Sequence, residues 1–211
     1  QGVAALGSQV AVLTNGSLLW REDVRTELMS AAQVSLKVDT VDEETWRCLN
    51  RPIGHLDLAT VLDGMRRFAL EYRGDLVTET MLVAGLNDDE ASLMRTAAFV
   101  SALEPLCAYV AIPSRPPDEP WVQPPGPDDV HRAAETFRRA GVPTSCLIEE
   151  DEAPFAAVGD PAQGMLGIVA VHPMTEVAAR DYLVRSGAGW SIAEELLHSG
   201  LIQAVRYGGR A

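Results

Sequence analysis

Apolar positions along the chain follow two alternating periods. Short β-branched runs recur at Val10–Thr14, Val34–Thr40, Val77–Val83, Cys107–Ile112 and Thr144–Ile148. Between them, apolar residues repeat at three- and four-residue spacing, the signature of amphipathic helices. Helices are expected over Arg21–Ala32 (Val24, Leu28), a short stretch from Asp42 to Pro52, Asp57–Tyr72 (Leu58, Val61, Leu62, Met65, Phe68, Ala69), Glu90–Leu103 and Asp129–Ala140. The runs end in polar loops: TNGS after the first, an acidic helix start after the second, GLNDDE after the third and SRPPDEP after the fourth. Strands that alternate with helices and stop in polar residues predict a parallel α/β architecture. A site is expected where those loops converge, at the carboxyl ends of the strands.

Within the second strand the alternation puts Ser35, Lys37 and Asp39 on one face and Val34, Leu36 and Val38 on the other. Polar residues facing a barrel interior are costly unless they meet each other or a ligand. Glu79 stands among apolar neighbours in the third strand, with Val77, Met81 and Val83. After it, Asn87 or Asp88 is expected to cap the next helix. The fourth strand leads into a proline-rich loop, 114–129, expected to lie over the strand ends.

Beyond Ile148 the pattern changes. The acidic stretch 149–157, EEDEAPFAA, marks a boundary, which divides the chain into 1–150 as the barrel part, 151–157 as linker and 158–211 as a second unit. Three short helices, Pro161–Val171, Glu176–Ser186 and Ser191–Ser199, followed by LIQAVRYGG as a strand and turn, predict a small winged-helix-like domain. Its third helix carries Glu194 and Glu195 and no Lys or Arg, which favours packing or partner binding over reading DNA.

Composition narrows the function. The formal charge of -13 over 211 residues argues against nucleic acid as the main partner. No run approaches a membrane span and no basic-then-apolar leader precedes the first strand, so a soluble, cytoplasmic protein is expected. The first residue is Gln1, consistent with a stretch of a longer chain. Cys48, Cys107 and Cys146 lie far apart and form no metal-ligand spacing, so no metal site is expected from them. His55, His131, His172 and His198 likewise show no metal or triad spacing. Lys37 is the only lysine.

At the strand ends the candidates are Asn15, Ser17, Lys37, Asp39, Glu79, Asn87, Ser114 and Arg115. Carboxylates bind hydroxyl and amino groups, and Lys or Arg holds an anion, so the set suits a zwitterionic or polyhydroxy ligand. The competing structural role is an internal salt-bridge network of Lys37, Asp39 and Glu79. A Schiff-base role for Lys37 is disfavoured by Asp39, which keeps its pKa high. Asn50–Pro52 is read as a helix terminator, and Arg115 as a loop anchor or anion ligand.

LTNGSLL, SLKVDTVDEETWRCLNRP, ETMLVAGLNDDE and IPSRPP, in that order and spacing, resemble the second half of a radical S-adenosylmethionine (radical SAM) protein, in a branch similar to the wyosine-forming tRNA-modifying enzymes. The resemblance implies an incomplete parallel β/α (partial TIM-type) barrel followed by the winged-helix-like domain. It implies S-adenosylmethionine as cofactor, with Asn15, Ser17, Lys37 and Asp39 approaching the ribose and Val83 to Asn87 the adenine. Lys37, Glu79 and Arg115 are then the catalytic candidates on the substrate side. Many relatives carry Ser at the position of Lys37.

The family's CxxxCxxC loop, which holds a [4Fe–4S] cluster, is absent from this sequence. The cluster ligands and the first half of the barrel are therefore expected outside this chain, which is inactive alone. A non-catalytic nucleotide- or protein-binding module is the alternative, and tRNA modification a weaker one. The uncovered strand Val10–Thr14 is expected to promote dimerisation or poor solubility.

Overall fold

Five strands follow one another in parallel, each joined to the next by helix. The structure, a computed structural model, describes residues 9–113, 116–117, 119–147, 155, 159–170 and 173–205. The order is β1 (Ala11–Thr14), α1 (Glu22–Leu28), β2 (Gln33–Lys37), α2 (Glu43–Asn50), α3 (Leu58–Glu71), β3 (Asp75–Met81), α4 (Glu90–Ser101), β4 (Cys107–Ala111), α5 (Pro127–Arg139) and β5 (Thr144–Leu147). The sheet runs β1-β2-β3-β4-β5 with every pair parallel. Successive β-α-β connections that step in one direction across the sheet lay α1 to α5 on one face, as in a barrel that has not closed.

That face is the core. Val34 and Leu36 of β2, Leu76 of β3 and Ala108 and Val110 of β4 are buried against Leu58, Val61, Met65 and Phe68 of α3, Leu93, Ala97 and Val100 of α4, and Val130, Ala133 and Phe137 of α5. The opposite, concave face alternates with it, and Ser35, Lys37, Glu79, Cys107 and Tyr109 are only half-buried. β1 is an edge strand, and Leu13 on it is 75% exposed.

Several boundaries differ from the periodicity. α1 stops at Leu28, and Met29 N–H closes its last turn on Arg25 O. β2 ends at Lys37, although Val38 N–H still bonds to Glu79 O at 2.8 Å. α5 begins two residues early, at Pro127, where a proline needs no N–H partner. The cap of α4 is neither Asn87 nor Asp88 but Asp89, whose Oδ1 accepts from Ser92 N at 3.0 Å.

The chain divides into two compact units, Gln1–Pro113 with Trp121–Ile148, and Ser114–Pro120 with Glu149–Ala211. The second contains α6 (Pro161–Val169), α7 (Glu176–Arg185) and α8 (Ser191–His198) around Met165, Tyr182, Leu183, Ala193 and Leu196. Arg180 stacks over the Trp190 ring at 3.9 Å. The expected wing strand is not formed over 201–205, where Leu201 and Ile202 N–H groups turn back to Leu196 O. The rest of that segment, like most of the linker, lies outside the described residues. Among the described residues no helix is long and apolar enough to cross a membrane.

Candidate functional site

The rim begins with the loop after β1. Thr14 Oγ1 accepts Gly16 N–H at 3.1 Å, and Asn15 Oδ1 accepts Ser17 N–H at 3.1 Å, so two side chains build the turn. Gly16 has φ 67°, and a Cβ there would collide with Met65. A Cβ at Gly64 would overlap the backbone of Leu19 and Trp20, so α3 can seat this loop only with glycine in place. Arg25, 7% exposed, completes the seat by donating from Nη1 to Leu19 O at 2.8 Å and Trp20 O at 3.1 Å.

Across the next strand end, Lys37 Nζ lies 3.1 Å from Glu79 Oε1 and 3.2 Å from Asp39 Oδ1. The side chains of Lys37 and Glu79 are 29% and 30% exposed, whereas that of Asp39 is 2% exposed. Asp39 is fully committed. Its Oδ1 also accepts Met81 N–H at 2.9 Å and its Oδ2 accepts Asn50 Nδ2 at 2.9 Å. Burial pulls the Lys37 pKa down, but the Asp39 and Glu79 carboxylates outweigh it and hold the ammonium above its ordinary value. Lys37 is thus a charge partner in the network that the sequence offered as its competing role.

Asn87 is a fastener of the next rim segment. It is buried, its Oδ1 accepts Val83 N–H at 2.8 Å, and its Nδ2 donates to Asp39 O at 2.8 Å and Met81 O at 3.0 Å. Val83 is buried too, and its carbonyl accepts Leu86 N–H at 3.1 Å. Asn87 ties Val83 to Asp39 through this clasp, and neither Val83 nor Asn87 is in the lining of the two depressions that Asn15 and Lys37 share.

Two depressions meet at Asn15 and Lys37. One, of about 250 Å³, unites Asn15, Ser17, Lys37, Asp39, Thr40 and Asn50 with an apolar wall of Trp46, Leu58, Val61, Leu62 and Met65. The other, of about 210 Å³, opens on the concave face and is lined by Leu13, Thr14, Asn15, Ser35, Lys37 and Glu79. Ser114 and Arg115 lie outside the described residues.

Three contributors were missed in the sequence. Asn50 is more than part of a helix stop, because it holds Asp39 from eleven residues away and no local pattern announces that contact. Arg25 did leave a signal: it shares the helix face of Leu28, where a cation is out of place unless bonded. Tyr109 is paired in register with Glu79 on the concave face.

The larger cavity offers hydroxyl-binding groups and an apolar wall, and its volume accommodates a ribose-sized part of S-adenosylmethionine. A [4Fe–4S] cluster does not fit the residues present: Cys48, Cys107 and Cys146 are free thiols, and no group of three metal-ligating side chains forms among the described residues.

No family model matches the chain. A UPF0026 protein of Methanocaldococcus jannaschii is 34% identical over 203 residues, covering 95% of this chain and 63% of that relative. The chain therefore spans less than two thirds of this relative's length. Among solved structures, a domain of pyruvate-formate lyase-activating enzyme from Bacteroides vulgatus aligns with TM-score 0.55 at 18% identity, over 68% of this chain and 83% of that one. A radical SAM methyltransferase from Sphaerobacter thermophilus aligns with TM-score 0.51 at 21% identity, over 66% and 40%. SuiB of Streptococcus suis bound to S-adenosylmethionine aligns with TM-score 0.51 at 13% identity, over 70% and 34%. At these identities the likeness is one of fold: the open parallel sheet with helices on one face is similar to the fold of these structures.

Proposed function

We propose that this chain supplies the ribose- and adenine-side wall of an S-adenosylmethionine site in a radical SAM enzyme, with the cluster ligands contributed by residues outside it. The observation that carries this reading is the convergence of Asn15, Ser17, Lys37 and Asp39 on one cavity at the carboxyl ends of β1 and β2. The cluster's electron transfer to the cofactor is chemistry that these residues do not provide. Their own work is binding and orientation.

Asn15 still has its Nδ2 to donate, Ser17 its hydroxyl and Lys37 a third N–H, all next to the apolar wall. These groups suit the hydroxyls of a ribose. Asp39 is a positioning residue: with both oxygens engaged, it aims Lys37 and ties the β2 and β3 ends together. The clasped turn from Val83 to Asn87 gives a stiff edge for a planar base.

Isothermal titration of S-adenosylmethionine into the protein tests the reading. Asn15→Ala is expected to weaken binding about fivefold, the loss of one hydrogen bond. An unchanged affinity in that variant would remove the cavity from the cofactor site. The alternative, a non-catalytic binding module, predicts that anaerobic reconstitution of the full protein gives no cluster absorbance and no cofactor cleavage. A tRNA-modifying role fails if tRNA is not retained at low salt, where charge attraction is strongest.

A further inference from the structure

We propose that the concave face of β2, β3 and β4 recognises a small substrate that carries a cationic N–H donor on an aromatic or apolar body, with Glu79 accepting the donor and the Tyr109 ring lying against the body. The inference rests on the proposed function for its setting alone, a substrate held beside the cofactor wall.

Register supplies the first ground. Lys37 pairs with Glu79, Glu79 with Tyr109 and Tyr109 with Ser145, so these residues form one row across four strands. The row lies on the face of the sheet opposite the core formed with α3, α4 and α5. Its second ground is unspent bonding capacity. Around the rim, Asp39 and Asn87 have given their polar atoms to the protein. In the row, Lys37 engages one Glu79 oxygen and leaves the other, and the Tyr109 hydroxyl bonds to no described residue.

Charge supplies the third ground. Lys37 faces two carboxylates, Asp39 and Glu79, and Asp75 of β3 stands on the same face, so negative charge is in excess among the described residues of this face. A phosphate or carboxylate would meet that charge unfavourably, and an ammonium would compensate it. The exposed Leu13 walls the 210 Å³ depression, which Lys37 and Glu79 also line, and Tyr109 offers ring surface on the other side of Glu79, outside that lining. That volume suits a substrate group of one ring or smaller.

Three probes sharing one body separate charge from shape: tyramine (cationic), 4-ethylphenol (neutral) and 3-(4-hydroxyphenyl)propionate (anionic). Each is titrated into the protein at low salt and followed by amide shifts on β2–β4. Tyramine is expected to bind about tenfold more tightly than the propionate, the difference one charge-assisted hydrogen bond makes. Glu79→Gln is expected to bring the two within about twofold, and Tyr109→Leu to weaken all three by about threefold, as expected for a lost aromatic contact. Should the Tyr109 variant fail to fold, the Glu79 variant decides.

Equal or reversed ranking in the wild type, a ranking unmoved by Glu79→Gln, or shifts confined to other strands would overturn the proposal. S-adenosylmethionine is titrated in parallel. If it fails to bind while the probes rank as expected, the cofactor reading falls and the recognition surface stands.

Discussion

The two faces of the sheet are made by the same strands and obey opposite rules. On the helix-covered face Val34, Leu36 and Val110 are wholly buried in an apolar core. One residue along in each strand, Ser35, Lys37, Glu79 and Tyr109 are half-open and polar. The covered face fixes where the strands lie, and the open face carries partly solvated polar groups, some of whose bonding capacity the protein leaves unused. That spare capacity is available to a ligand. The rim is intermediate, because Asp39 and Asn87 are polar yet consumed by the fold.

The largest effect belongs to the covered face. Leu36→Ala removes a fully buried side chain and is expected to cost about 3 kcal/mol, in the range for such truncations, whereas Ser35→Ala should stay within about 0.5 kcal/mol. Urea denaturation of the two variants measures both. Comparable losses would mean that the concave face is packed, and the contrast between the faces would disappear.

The rim should come next. Asp39→Ala leaves Met81 N–H and Asn50 Nδ2 without their acceptor and Lys37 without one of its two carboxylates. The expected cost is about 2 kcal/mol, below that of severing a fully buried ion pair because Lys37 is partly solvated. Hydrogen exchange at Met81 sharpens the test: its amide should lose protection selectively. A loss spread evenly over the sheet would mean that Asp39 acts through global stability alone.

This gradation explains what could be read from the sequence. Alternation in a strand is local, so Val34 to Asp39 disclosed their faces, and the three-residue spacing of α3 disclosed its buried stripe. The Lys37, Asp39 and Glu79 network was foreseeable because same-face polar residues on neighbouring strands must meet. Contacts across long separations left no such trace. Asn87 reaches Asp39 over 48 residues, and what the sequence could show of it was a polar residue near a helix start, which made it resemble a cap. The cap went to Asp89 because its side chain is the one aligned with Ser92 N–H. Tyr109 carries no local signal of its role, since its partner in the row is fixed only by the register of β3 with β4.

The smallest effect separates the two roles that Lys37 could have on the open face. In the folded protein its pKa is raised above the ordinary 10.5, because the attraction of Asp39 and Glu79 exceeds the penalty of burial. A raised folded value means that the stabilisation is complete below about 10.5 and is lost as pH climbs through the higher folded value. The stability gap between wild type and Lys37→Met should therefore hold constant from pH 8 to 10 and narrow only above that. Tyrosines titrate in both proteins, so their contribution cancels in the difference. A desolvated, nucleophilic lysine would have a depressed pKa, and the gap would already change between pH 8 and 10. Denaturation curves of the pair across that window would then turn Lys37 from a fixed charge on the open face into a reactive amine.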